Sequence, residues 1–192
     1  MHGRRITFRI LPLILCFLSG CVSVYHPGHA VTNTGSPEDR LKPEPYLRKV
    51  GKLQTDLAAL NPDADVIEAR KVAETAIDYS SELAAEYQLI RPAVLHNMFV
   101  RMGLKDRGLC YHWTEDLLKR LQTLVLKTYQ LHWAVAYRGS ELREHNSVVV
   151  TAKGQAFENG IVLDPWRNSG DLFWAVVKTD RYPWLELPPS EW

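Results

Sequence analysis

The hydrophobic period of this chain changes once, and that change constrains its fold more than any other feature. Through Leu126 apolar residues recur at the spacing of an amphipathic helix; from Leu131 they come in short aromatic and β-branched runs set off by turn residues. The longest periodic run extends from Pro62 to about Ile90, with Val66, Ala69, Val72, Ala73, Ala76, Ile77, Leu83, Ala84 and Tyr87 on one side and charges on the other. Ahead of it, Tyr46 to Leu60 predicts a helix weakened by Gly51. Asn61-Pro62 reads as its stop and as the cap and first position of the next helix. A third helix runs from Pro92 to Met102, with Val94, Leu95, Met98 and Phe99 inward, and ends at Gly103. A fourth opens at Cys110 and continues from Thr114 to Leu126.

The extended half holds four expected strands: Leu131 to Tyr137, His145 to Thr151, Ile161 to Trp166 and Leu172 to Val177. Gly139-Ser140, Gly154, Asn159-Gly160 and Asn168-Ser169-Gly170 mark turns between and within them. The tail, with Tyr182-Pro183-Trp184 and Pro188-Pro189, reads as irregular. Helices first and a strand meander afterwards predict an α+β fold, N-terminal helices packed on an antiparallel sheet, in one domain over 46–192. A chain of 192 residues, 46% hydrophobic and 23% charged, has enough apolar material for such a core.

The net charge of +1 is unevenly spread. Arg4, Arg5 and Arg9 lie in the first twenty residues without an acid, and setting them aside leaves −2 for residues 21–192. A slightly acidic body with scattered cations has no electrostatic footprint for nucleic acid. The basic start precedes an apolar stretch, Ile10 to Leu18, too short to span a bilayer but of the right length for a secretory signal over 1–20. It ends in Leu18-Ser19-Gly20-Cys21, which resembles the lipobox of bacterial lipoproteins. That resemblance implies cleavage before Cys21 and acylation of its thiol and amino group, with lipid as the link to a membrane. The alternative is an ordinary signal peptide with a chance cysteine. Val22 after the cysteine, where enteric lipoproteins kept at the inner membrane carry Asp, implies the outer membrane, facing the periplasm. Residues 21–45, rich in Pro, Gly, Ser, Thr and Asn, read as a flexible tether.

With Cys16 lost in the signal and Cys21 lipidated, Cys110 is the sole free thiol expected in the mature chain, with no partner for an internal disulfide. It lies in Gly108-Leu109-Cys110-Tyr111-His112-Trp113, on the first turn of a helix, where the dipole favours thiolate over thiol. Cys110, Thr114, Leu117, Leu118, Leu121 and Val125 share one side of that helix. His112, two residues on, is rotated about 200° away and does not face the thiol; Glu115 and Asp116 do not face it either. A cysteine nucleophile needs a histidine to take its proton, and the histidine needs an acceptor for its second nitrogen. His145 opens a strand 35 residues later, and Asp164 ends the next strand 19 residues after that. Neighbouring antiparallel strands bring two such residues into contact range, on the face that the cysteine helix packs against.

Helix cysteine, strand histidine and strand aspartate in that order resemble the transglutaminase-like branch of the papain-like cysteine enzymes. The matching pieces are Gly108–Trp113, Glu144-His145-Asn146-Ser147-Val148-Val149-Val150 and Val162-Leu163-Asp164-Pro165-Trp166, and the resemblance covers roughly residues 92–177. It implies acyl transfer through a thioester on amide bonds of peptides or proteins, with no cofactor. Cys110 attacks, His145 protonates the leaving amine and Asp164 steadies the imidazole. The Cys110 backbone N–H offers one donor to the oxyanion; Asn97 and His96 are the candidates for a second. Three other readings compete. One is a zinc site from Cys110, His112, His145 and Asp164, although Cys-x-His on a helix splays its ligands. Another makes all three site residues structural. The third keeps the fold as a binding or assembly module without turnover. Trp113, Trp133, Trp166, Trp174 and Trp184 read as packing residues, some of which are available to floor a substrate groove.

Overall fold

The computed structural model describes residues 42–192. The signal reading, Cys16, the lipidation site Cys21 and most of the tether lie outside the described residues. Within them the chain forms α1 (Glu44–Ala58), α2 (Val66–Glu86), α3 (Ala93–Arg101) and α4 (Cys110–Gln122). The strands follow as β1 (Tyr129–Ala136), β2 (His145–Ala152), β3 (Ile161–Asp164), β4 (Phe173–Val176) and β5 (Trp184–Leu187). The fold is α+β, four helices and a five-stranded antiparallel sheet in the order β4-β3-β2-β1-β5. Among the described residues no helix is long and apolar enough to cross a membrane.

The helical period of the first half buries what it should. Val50, Leu53 and Leu57 of α1 meet Ala69, Val72, Ala73, Ala76 and Ile77 of α2 and Leu117, Leu118 and Leu121 of α4 in one core. That core rests on Val148, Val150, Ile161 and Leu163 of the sheet. Alternate residues, Val149 and Val162 with Ala134, Ala136 and Trp184, point to the opposite face. There Val177, Phe157 and Tyr182 cover them, so β2 is buried along its whole length.

Several boundaries differ from the sequence reading, each for a local reason. Helix α1 starts at Glu44 rather than after Pro45, because a proline in the first turn gives up no helical hydrogen bond. Asn61 does not cap α2. Its side chain accepts from the amide of Asp63 (2.8 Å) in a tight turn, and Asp65 is the cap, accepting from Ile67 (2.7 Å) and Glu68 (3.3 Å). The tail is not irregular throughout: β5 pairs with β1, with Ala136 opposite Trp184. Pro183 and Pro188 bracket this four-residue strand, an arrangement tolerated at a sheet edge.

The inward face of α3 is also different. Val94 and Met98 are 60% and 57% exposed and Leu95 is exposed, while Ala93 and His96 are buried. His96 goes inward because both ring nitrogens find partners there, the amide of Ile90 at 3.1 Å and the carbonyl of Arg107 at 2.8 Å. Val125 likewise leaves the α4 stripe, since the helix ends at Gln122 and Val125 is exposed with φ +49°.

Candidate active site

The cysteine turn is held from three sides. Gly108 has φ +126°, and a Cβ there would stand 2.3 Å from the His96 ring. Its carbonyl accepts from the fully buried indole of Trp113 (2.9 Å). The Nδ1 atom of His112 accepts from the amides of Gly108 (3.1 Å) and Leu109 (3.3 Å), which satisfies two donors at the helix entry. Burial, and then the charge of Arg107, lower the His112 pKa and keep that nitrogen an acceptor. His112 is therefore a clamp on the turn. Glu115 and Asp116 are held by Arg107 at 3.0 and 2.8 Å, on its side of the helix. What emerges is Cys110, half-buried, with its backbone N–H in the first turn of α4 and no side-chain cap there.

His145 and Asp164 meet on the sheet. The His145 Nε2 atom lies 2.7 Å from Oδ2 of Asp164, a fully buried carboxylate. Strand alternation makes this contact and corrects one expectation. His145 pairs with Ala136, which pairs with Trp184, so His145 and Asp164 belong to the face opposite the helices. The helix-side residue is Asn146. His145 reaches the cysteine because it opens β2 at the sheet's end, where Sγ of Cys110 lies 3.8 Å from the carbonyl oxygen of Glu144, the residue just before it. Burial opposes charge on the imidazole, but the charge and hydrogen bond of Asp164, joined by those of Cys110, outweigh it and push the His145 pKa up to about 9.

The support behind Asp164 was not anticipated from the sequence. Arg167 donates to Asp164 from its backbone amide (3.0 Å) and from Nε (2.9 Å), then forks onto Asp180 at 2.8 and 2.6 Å. Asp180 also accepts from Trp184 (2.7 Å); though burial acts against it, these bonds hold its carboxyl below the usual range. The His145 ring is enclosed by Trp166, Tyr182 and Trp184, with centroids 4.9, 4.8 and 5.4 Å away. Arg167 sits three residues past Asp164 and Trp166 two, spacings that fit a turn, but Asp180, Tyr182 and Trp184 come from a distant part of the chain.

In comparisons with known proteins, no family model, no curated protein and no solved structure matches this chain.

The remaining sequence candidates divide. His96 is committed on both nitrogens to the backbone around the turn and braces it, so it is not a donor to the site. Asn97 lines the groove at Cys110, with its carbonyl oxygen taken by Trp166 Nε1 (3.1 Å). The zinc grouping does not assemble: His112 faces the backbone amides, and both Asp164 oxygens are engaged by His145 and Arg167. Among the described residues no three His, Cys, Asp or Glu side chains are grouped as metal ligands. Cys110 and His145 open onto a groove of about 440 Å³, walled by Val94, Tyr111, Leu142 and Tyr182 among others. A free thiol and an imidazole held in its charged form by Asp164 therefore line one surface groove. Such a pair is equipped to attack an acyl carbon and to protonate what leaves.

Proposed function

We propose that this chain is an envelope-anchored lipoprotein with a transglutaminase-like cysteine domain, acting on amide bonds of peptides or proteins. The observation that carries the reading is the placement of His145: bonded to buried Asp164 on one side and facing Cys110 on the other, at an open groove. The thiolate of Cys110 adds to the amide carbonyl carbon, and the carbonyl π pair becomes an oxyanion. As the oxyanion collapses, the carbon–nitrogen bond breaks and the amine leaves with the proton of His145, giving a thioester on Cys110. Water, activated by the now neutral imidazole, releases the acid; an amine in its place completes transfer. The groove of about 440 Å³ beside Cys110 is where the acyl group of a substrate would sit. The anchor rests on the basic start, the apolar run and Leu18-Ser19-Gly20-Cys21.

The acyl-enzyme is the decisive species. Folded protein treated with p-nitrophenyl acetate is expected to carry one acetyl group on Cys110 by mass spectrometry. His145→Ala should slow its formation at neutral pH by about two orders of magnitude. No adduct on Cys110, or an adduct formed at the same rate without His145, would argue for a binding module instead. Labelling of cells with a palmitate analogue, lost in Cys21→Ser, checks the anchor separately.

A further inference from the structure

We propose that the Asn146 side-chain amide is the second hydrogen-bond donor to the oxyanion at Cys110, alongside the Cys110 backbone N–H. The proposal rests on the thioester reading above and supplies the donor that reading lacks. Asn146 is buried on the helix-facing side of β2, next to His145 in sequence but on the other face of the strand. Its Oδ1 accepts from the indole Nε1 of Trp133 at 2.7 Å. That bond decides which way the amide points, because reversing it would set an NH₂ group against the Trp133 N–H, donor against donor. With Oδ1 fixed, Nδ2 is directed at Sγ of Cys110, 3.9 Å away, and its other hydrogen faces Oε1 of Glu144 at 3.5 Å. Glu144 is in turn held by the amide of Gly139 through Oε2 (2.7 Å).

The distance suits this role better than a resting bond to sulfur. A nitrogen 3.9 Å from sulfur binds it weakly. The oxyanion, however, forms one bond away from the carbon that sulfur has attacked, on the space between sulfur and the amide. A donor so placed can come within roughly 2.7–3.1 Å of that oxygen without moving its backbone. Its orientation is fixed before reaction by Trp133, so little reorganisation accompanies the appearance of charge. Asn97, the other amide at the groove, is tied through Trp166 to the aromatic wall of His145. His96 is spent on the cysteine turn.

Two reagents separate this role from a general effect on the thiol. Iodoacetamide is attacked at a saturated carbon and forms no oxyanion, whereas p-nitrophenyl acetate passes through a tetrahedral oxyanion before p-nitrophenolate leaves. Asn146→Ala is expected to lower acylation by p-nitrophenyl acetate about 10²–10³-fold, while alkylation by iodoacetamide changes by less than about threefold. Trp133→Phe leaves Asn146 in the chain but frees its amide to turn. It should show the same selective loss to a smaller extent, which serves if Asn146→Ala fails to fold. Equal losses in both reactions, or unchanged acylation in a folded Asn146→Ala, would overturn the assignment; so would a selective loss in Asn97→Ala with Asn146→Ala unaffected. Failure of the thioester reading itself looks different: wild-type protein would then form no acetyl adduct on Cys110.

Discussion

At the scale of single residues, the site depends on how His145 holds its proton. Its pKa of about 9 stands above the ordinary 6.5, although burial alone would move it the other way. The imidazolium is therefore kept through neutral pH and lost as pH rises through about 9. Its contribution to folding, complete below pH 6.5, fades over the same interval. Asp164 is the larger source of the upward shift, ahead of Cys110. Replacing it by Asn removes the larger of the two raising partners and leaves burial opposed by Cys110 alone, so the His145 signal of isotopically labelled protein should titrate well below its wild-type position in Asp164→Asn. A variant that still titrates near 9 would show that another group holds the proton. Asp164 itself remains inside the protein because Arg167 and Asp180 complete a buried network around it.

At the scale of elements, the entry to α4 is a built joint. Gly108 adopts a backbone conformation that L side chains rarely take, and the space for a Cβ is already filled by His96. Gly108→Ala should destabilise the fold by about 1–3 kcal/mol or more in urea unfolding. It should also slow alkylation of Cys110, since the turn must shift away from His96. A loss within about 0.5 kcal/mol would mean that the turn is not clamped. The order and type of the elements were legible in the sequence because period 3.6 and short β-branched runs report directly on burial. Cys110, His145 and Asp164 were legible because each stands at the end of such an element. The inward face of α3 was misread, since apolar spacing cannot foresee that a satisfied histidine will be buried in place of Val94 and Met98. The strand β5 was hidden by its flanking prolines. Asn146, Arg167 and Asp180 depend on register and loop packing, which no local pattern encodes.

At the scale of the whole domain, the two halves supply different parts of one apparatus. The helices place a thiol at the end of the sheet, and the sheet carries a histidine and an aspartate on its far face and an amide on its near one. The tail returns as an edge strand to deliver Trp184 and Tyr182 against the histidine. Exposed Val94 of α3 lines the opening together with Asn97 and Arg101. The proposed function requires Cys110 and His145 to act as one ionic unit. It is tested most directly by the rate of Cys110 alkylation with iodoacetamide in folded wild-type protein and in His145→Ala, followed as a function of pH. Wild type is expected to react at least about tenfold faster than the variant near pH 6.5, with the two converging above pH 9. Superimposable profiles for the two proteins would contradict it.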